Sequence, residues 1–245
     1  MKNGYNEILV LGDSVTKGVV VDEEHFRYRM IDESCFNLVK DNLTTEVRSL
    51  AKFGQTLPAA IERLEAELDN GAKPDVVVVE LGSNDCDFNW NLIAEDPEAE
   101  HRPNTPFDSF KETLSKFFSE LNKRVIRPVV MTMHPIDAER YFKWFTGGDE
   151  NKAKSIMKWL GNVTRIYWWQ ERYNEAILEV ADKFKVPLIN TRGAFLSQED
   201  FRPYLCRDGI HPNAQGHRLM AQRILEFISE RADYMLKGGK PQLQY

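Results

Sequence analysis

The sequence predicts an α/β fold with a parallel sheet covered by helices on both faces. Short apolar runs of strand length alternate with longer segments whose apolar residues have helical spacing, and this alternation is typical of βαβ units joined by right-handed crossovers. The run Val76–Val79 consists of four consecutive β-branched residues, which favours a strand that is buried on both faces. Together these patterns predict a flavodoxin-like three-layer α/β/α sandwich with a five-stranded parallel sheet.

The strands of this sheet are predicted where apolar runs of five to seven residues occur. In chain order they are Glu7–Leu11, Thr45–Leu50, Asp75–Leu81, Pro128–Met133 and Val186–Asn190. The helices are predicted where apolar residues recur every three or four positions. They are residues 27–42, Leu57–Leu68, Phe107–Val125, Ile166–Phe184 and Ala214–Met235. Asn70-Gly71 ends the second of these helices, since glycine is common just after a helix.

Residues 1–237 are predicted to form one domain, with residues 238–245 as a loose tail. Two connections, at about 86–106 and 135–165, are longer than ordinary loops and are predicted as insertions. Both leave from the carboxyl ends of predicted strands, where open α/β sheets bind their ligands. The second insertion is rich in aromatic residues, and we interpret residues 137–165 as a lid or a subunit contact that shapes a pocket.

Composition excludes several classes of protein. The formal net charge is -6 and the basic residues are scattered, which argues against nucleic-acid binding. No run approaches the roughly 20 apolar residues of a membrane span. Three widely spaced cysteines suggest neither a disulfide framework nor a metal site. Because the first strand runs directly into a functional turn, we read no signal peptide and expect a cytoplasmic protein. The oligomeric state is not determined by the sequence.

Ser14 lies in Gly12-Asp13-Ser14, directly after the first predicted strand. A serine on such a turn exposes its hydroxyl at the ligand-binding edge of the sheet, as a nucleophile requires. The alternative is that Ser14 or Thr16 caps a helix, and from this motif alone that alternative is favoured.

Two further motifs follow the second and third strands. Gly54 in Phe53-Gly54-Gln55-Thr56 lets a backbone N–H approach a ligand closely. Asn84 in Gly82-Ser83-Asn84-Asp85 can direct its amide N–H₂ toward a developing oxyanion. Taken singly, each motif is also explained as an ordinary turn or helix cap.

Asp208 precedes His211 by three residues in Asp208-Gly209-Ile210-His211. An acid at that position can fold back onto Nδ1 of the histidine, which fixes the tautomer and leaves Nε2 free to accept the proton of a serine. The four motifs together supply a nucleophile, a base, an orienting acid and oxyanion donors, which are the groups of an acyl-transfer site.

These motifs resemble the conserved blocks of the SGNH hydrolase superfamily, also called the GDSL-type esterases and lipases. The blocks span positions 12 to 213 and appear in the family's order. The resemblance implies a serine esterase acting on a small-molecule ester, with Ser14, His211 and Asp208 as its catalytic triad. It also implies an oxyanion hole formed by the Ser14 and Gly54 N–H groups and the Asn84 side chain. Val15 stands where the family often has leucine.

Three other residues are expected to contact the substrate. Asp13 adjoins the nucleophile, His134 ends the fourth predicted strand, and Trp168 is adjacent to Trp169, so that the two indoles cannot share one helical face. Cys86 is predicted to be a buried apolar residue. No metal and no cofactor are predicted. The rival interpretations are a flavin- or phosphate-binding protein and a non-catalytic binding module.

Overall fold

The computed structural model describes residues 5–22 and 24–239. Its strands are β1 (Glu7–Leu11), β2 (Val19–Asp22), β3 (Arg27–Met30), β4 (Glu46–Ser49), β5 (Val76–Val79), β6 (Arg127–Met131) and β7 (Leu188–Ile189). The α-helices of the described residues are α1 (Cys35–Asn42), α2 (Leu57–Asp69), α3 (Trp90–Glu95), α4 (Phe107–Lys123), α5 (Ala138–Thr146), α6 (Glu150–Leu160), α7 (Thr164–Phe184), α8 (Thr191–Leu196) and α9 (Ala214–Ala232).

The central sheet has the predicted five parallel strands, in the order β4-β1-β5-β6-β7. Successive side chains of β1 point to opposite faces, so Leu9 and Leu11 join one core while Ile8 and Val10 join the other. The first core is closed by α2, α4 and α7, and the second by α1 and α9. The three-layer α/β/α sandwich and its flavodoxin-like strand order are therefore confirmed.

The predicted helix over residues 27–42 is wrong in its first half. β3 pairs antiparallel with β2 in a separate two-stranded hairpin, and the helix starts only at Cys35. In β3 the apolar Tyr28 and Met30 alternate with arginines, which is the period of a strand. The helix begins where Ser34 caps it, because the Ser34 side chain accepts a hydrogen bond from Asn37 N.

The other predicted boundaries differ from the structure by a few residues. The fifth strand is only Leu188–Ile189, and the last helix ends at Ala232 rather than Met235, followed by the 3₁₀ turn Asp233–Met235. Within the predicted tail, residues 238 and 239 belong to the 3₁₀ turn Lys237–Gly239, and residues 240–245 lie outside the described residues. In the described ranges no helix has the length and apolarity needed to cross a membrane.

The two long connections contain helices that the sequence patterns did not reveal. The first includes α3 and the second includes α5 and α6, and the three pack around a hydrophobic cluster of their own. Trp90 and Phe145 stack at the centre of this cluster with ring centroids 4.4 Å apart. We call α3, α5 and α6 the cap, because they lie over the carboxyl-terminal edge of the sheet that carries the candidate site.

Candidate active site

Ser14, His211 and Asp208 form one hydrogen-bonded chain. Ser14 follows β1, and His211 lies in the loop before α9. Ser14 Oγ is 2.8 Å from His211 Nε2, and His211 Nδ1 is 2.6 Å from Asp208 Oδ2. All three residues are buried. This is the geometry in which an imidazole can take a proton from the hydroxyl while the carboxylate holds its tautomer.

The turn that carries Asp208 and His211 is defined locally. Asp208 Oδ1 accepts hydrogen bonds from the backbone N–H groups of Ile210 and His211, at 3.1 and 3.2 Å, so Oδ2 is left for the imidazole. Gly209 has φ +77°, and a Cβ there would lie 2.5 Å from the carbonyl oxygen of Asp137. Only glycine fits this position, which explains the Asp-Gly-Ile-His spacing.

The three predicted oxyanion donors follow the adjacent strands β4, β1 and β5. The backbone N–H groups of Ser14 and Gly54 donate to no acceptor within the described ranges. Gly54 has φ +71° and open space around its Cβ position. Asn84 Nδ2 donates to Asp13 Oδ2 at 2.9 Å and, at the longer distance of 3.2 Å, to the carbonyl of Gln55.

Asp13 supports this arrangement through both of its carboxylate oxygens. Its Oδ1 accepts from Val15 N at 2.8 Å, and its Oδ2 accepts from Asn84. Desolvation by burial raises the pKa of Asp13 to about 6, against the lowering effect of these hydrogen bonds and of His211. Asp13 borders the cavity, but both of its oxygens are held by the protein. The substrate contact of Asp13 stays a prediction, and the structure adds a second role for this residue, which is to orient Asn84.

Two supporting residues were not identified from the sequence. Gln55 Nε2 donates to the carbonyl of Gly12 at 2.9 Å, tying the loop after β4 to the turn that carries Ser14. Asp85 accepts hydrogen bonds from Leu57 N and from Thr105 Oγ1, and so holds the start of α2 against the loop after β5. Asp85 ends the motif that contains Asn84, but its hydrogen-bond partners are distant in sequence and no local pattern reveals them.

Beneath the nucleophile turn lies a second buried carboxyl group. Thr16 Oγ1 donates to Glu80 Oε2 at 2.8 Å. Burial raises the pKa of Glu80 well above its usual value, and the nearby Asp13 carboxylate raises it further. The contact of Glu80 with Thr16 joins the nucleophile turn to the end of β5.

The cavity beside Ser14 has a volume of about 380 Å³, and the cap forms part of its wall. Tyr141, Phe145 and Trp159 are among the cap residues that line it. Trp169 of α7 also lines it, whereas Trp168 is 51% exposed and contacts Arg172 outside the cavity. The prediction that Trp168 contacts substrate is therefore wrong, because the turn of α7 directs the neighbouring indole inward.

His134 is also not a cavity residue. It is fully buried behind the catalytic loop, where Nε2 donates to the carbonyl of Ile210 at 2.7 Å. Its Nδ1 has no hydrogen-bond partner within the described residues, and burial lowers the pKa of the imidazole to about 4. His134 is thus a neutral residue that supports the loop carrying His211. The expectation that it contacts substrate is corrected accordingly.

Cys86 is buried, as predicted. Its Sγ lies 3.3 Å from the carbonyl oxygen of Ser83, and burial raises the pKa of the thiol well above its usual value. A neutral thiol is a poor nucleophile. Within residues 5–22 and 24–239, no three His, Cys, Asp or Glu side chains are grouped so as to hold a metal ion.

Solved structures share this fold. A lipase/acylhydrolase from Enterococcus faecalis is 22% identical, with a TM-score of 0.65 over 98% of this chain and 100% of that chain. A catalytic mutant of an acetylxylan esterase from Geobacillus stearothermophilus is 19% identical, with a TM-score of 0.62 over 93% and 96% of the two chains.

Sequence relatives include an uncharacterized lipoprotein, YqeF, of Bacillus subtilis (strain 168), 23% identical over 80% of this chain and 74% of the relative. The GDSL esterase/lipase CPRD49 of Arabidopsis thaliana is 21% identical over 66% of this chain and 57% of the relative. The model of the GDSL-like Lipase/Acylhydrolase family matches residues 10–219, which include all four motifs. The chain therefore belongs to the GDSL-like lipase/acylhydrolase family of hydrolases.

Proposed function

We propose that this hydrolase is a serine esterase that cleaves carboxylic esters through an acyl-enzyme on Ser14. The observation that carries the proposal is the continuous chain from Ser14 Oγ through His211 to Asp208, with contacts of 2.8 and 2.6 Å. Membership of a hydrolase family favours this function over a flavin- or phosphate-binding protein and over a non-catalytic module.

In the first step Ser14 Oγ attacks the ester carbonyl while His211 Nε2 takes the hydroxyl proton. The tetrahedral oxyanion is bound by the backbone N–H groups of Ser14 and Gly54, which have no competing acceptor among the described residues. The Asn84 hydrogen that makes the longer contact with Gln55 is the third donor. Asp208 stabilises the imidazolium that forms.

In the second step the protonated His211 gives its proton to the departing alkoxide, and the C–O bond of the ester breaks. Water then attacks the acyl-Ser14 carbonyl while His211 takes a proton from the water. Collapse of the second tetrahedral intermediate breaks the acyl–Oγ bond, returns the proton to Ser14 and releases a carboxylic acid. The complete hydrolysis consumes one water molecule and needs no cofactor.

Esters of acetyl or other short acyl groups, including acetylated carbohydrates, are the proposed substrates. Two observations support this choice. Several similar structures are acetylxylan esterases. The cavity beside Ser14 has aromatic walls, which suit the apolar faces of a sugar ring. Lysophospholipids and thioesters are the alternative substrates for the same site.

The test compares Ser14→Ala with the matched control Ser115→Ala. Ser115 lies on α4, and its hydroxyl donates to the carbonyl of Lys111 in the same helix. We expect Ser14→Ala to abolish hydrolysis of 4-nitrophenyl acetate and labelling by a fluorescent alkylphosphonate, while Ser115→Ala retains both. A panel of acetylated xylo-oligosaccharides, longer acyl esters, thioesters and lysophospholipids then ranks the substrates by kcat/KM. Activity retained by Ser14→Ala would overturn the proposal.

A further inference from the structure

Tyr28, on the β2–β3 hairpin, lies against the catalytic histidine. The hairpin is formed by residues that follow the nucleophile turn directly. It places the Tyr28 ring edge-on to the His211 ring, with centroids 5.0 Å apart. Phe53 contacts both rings, with centroids 5.6 Å from Tyr28 and 6.4 Å from His211. The imidazole is therefore confined by two aromatic side chains as well as by its hydrogen bonds.

The phenol oxygen of Tyr28 already has a donor. Trp144 Nε1 donates to it at 2.9 Å, so the phenol proton is directed to another acceptor. The carboxylate of Asp208 faces the phenol, and burial together with the charge of Asp208 raises the pKa of Tyr28. A phenol in this setting stays protonated at neutral pH, so its proton is available to the Asp208 carboxylate.

The Asp208 carboxylate has room for this donor. An ionised carboxylate offers about four lone-pair sites, and three are occupied by Ile210 N, His211 N and His211 Nδ1. Asp208 has no exposed surface, so a water cannot easily supply the fourth donor. A buried carboxylate with an empty site would be under-solvated. The Tyr28 hydroxyl is suited to fill this site, because its oxygen already accepts from Trp144 and its proton is free to be donated.

Trp144 connects this arrangement to the cap, since it belongs to α5. The indole and phenol rings are also in contact, with centroids 5.8 Å apart. The path Trp144–Tyr28–Asp208 thus joins three segments: the cap, the hairpin and the catalytic loop. Both aromatic residues also line the cavity beside Ser14, so a bound substrate lies next to the same contacts.

We propose that Tyr28 is a positioning residue for the reaction. It holds Asp208 and His211 in the geometry that proton transfer requires, and it links this pair to the cap through Trp144. The inference rests on the esterase mechanism proposed above. It assigns a role to the hairpin, which none of the four family motifs includes.

The test uses Tyr28→Phe, Trp144→Phe and the double variant, with Tyr234→Phe as a control. Tyr28→Phe keeps the ring and removes only the hydroxyl, and Tyr234 is a half-exposed tyrosine packed near Tyr5, away from the cavity. Active sites are counted by titration with a fluorescent alkylphosphonate, and kcat for 4-nitrophenyl acetate is expressed per labelled site. This normalisation removes any loss that comes from misfolded protein.

We expect Tyr28→Phe to lower kcat per labelled site by about tenfold or more, because a hydrogen bond to a charged group is lost, while KM for the small ester changes little. Trp144→Phe should have a smaller effect, and the double variant should match Tyr28→Phe because both changes break the same path. Tyr234→Phe should equal wild type.

A kcat per labelled site within twofold of wild type in Tyr28→Phe would overturn the positioning role while leaving the esterase mechanism intact. Fully additive losses in the double variant would overturn the link to the cap. Failure of the phosphonate to label Ser14 in the wild type would instead refute the mechanism and, with it, this inference.

Discussion

Replacing Asp13 with asparagine is expected to separate catalysis from stability. Asp13 uses a different oxygen for each of two donors, Val15 N at 2.8 Å and Asn84 Nδ2 at 2.9 Å. An asparagine has one carbonyl oxygen, so its amide group must face one of these donors. The best compensation is rotation of the Asn84 amide, which turns its N–H₂ away from the oxyanion position.

The expected loss of activity follows from this geometry. Removing an oxyanion donor costs about 10²–10³ in kcat, and rotation of Asn84 in only part of the molecules costs less, so we expect kcat of Asp13→Asn to fall by about 10- to 100-fold. The expected change in stability is small. Lost hydrogen bonding lowers the free energy of unfolding by about 1–3 kcal/mol. The variant also removes a carboxyl group whose ionisation in a buried site destabilises the folded state.

The size of that second effect depends on pH. The pKa of Asp13 is raised from 3.8 to about 6, chiefly by desolvation, so ionisation at pH 8 costs the folded state about 3 kcal/mol. This cost is fully present above the folded pKa and disappears as pH falls toward 3.8. The two contributions nearly cancel at pH 8, and we expect the free energy of unfolding to change by less than about 2 kcal/mol.

The assay measures kcat and KM for 4-nitrophenyl acetate at pH 8, beside urea unfolding of the same preparations. The variants Asn84→Ala and Asp13→Asn/Asn84→Ala complete a double-mutant cycle. If Asp13 acts through Asn84, the double variant should be no slower than Asn84→Ala. Additive losses, or a kcat of Asp13→Asn within about threefold of wild type, would refute the reasoning.

Three further predictions concern the partner of the catalytic base, the buried His134 and the cavity wall. Asp208→Asn should lower kcat by about 10²–10⁴, because the imidazole loses its charged partner and its tautomer is no longer held; steady-state kinetics with phosphonate titration measures this. His134→Gln keeps a donor to Ile210 but removes a group whose pKa is lowered to about 4 in the folded protein. Wild type should therefore lose about 2 kcal/mol more unfolding free energy than this variant between pH 7.5 and pH 5, as unfolded His134 takes up a proton, which urea titrations at the two pH values check. Trp169→Leu should raise kcat/KM for butyrate relative to acetate esters by about tenfold, whereas Trp168→Leu should not change that ratio.

Each of these predictions has a contradicting result. An Asp208→Asn enzyme within tenfold of wild type would show that His211 does not depend on the carboxylate. Equal losses of stability at pH 5 in wild type and His134→Gln would show that His134 titrates normally. A larger change in acyl preference from Trp168→Leu than from Trp169→Leu would place the acyl group of the substrate outside the cavity beside Ser14.

The sequence was most informative where local pattern and chemistry coincide. The Val76–Val79 run predicted a doubly covered strand, and the spacing of Asp208 and His211 predicted the fold-back that the structure shows at 2.6 Å. Both depend on interactions within a few residues. The hairpin was missed because residues 27–30 were read together with the helix that begins at Cys35, although the alternation in β3 is visible.

The sequence by itself determined the sandwich and the groups that meet at the carboxyl edge of the sheet, because strand burial, turn chemistry and the triad spacing are local properties. Only the tertiary structure decided which neighbours those groups have. It placed Trp169 rather than Trp168 in the cavity, buried His134 against the backbone of the catalytic loop, and brought Tyr28 to the Asp208–His211 pair. Each of these outcomes depends on contacts between segments distant along the chain, and the residue types alone do not specify such contacts.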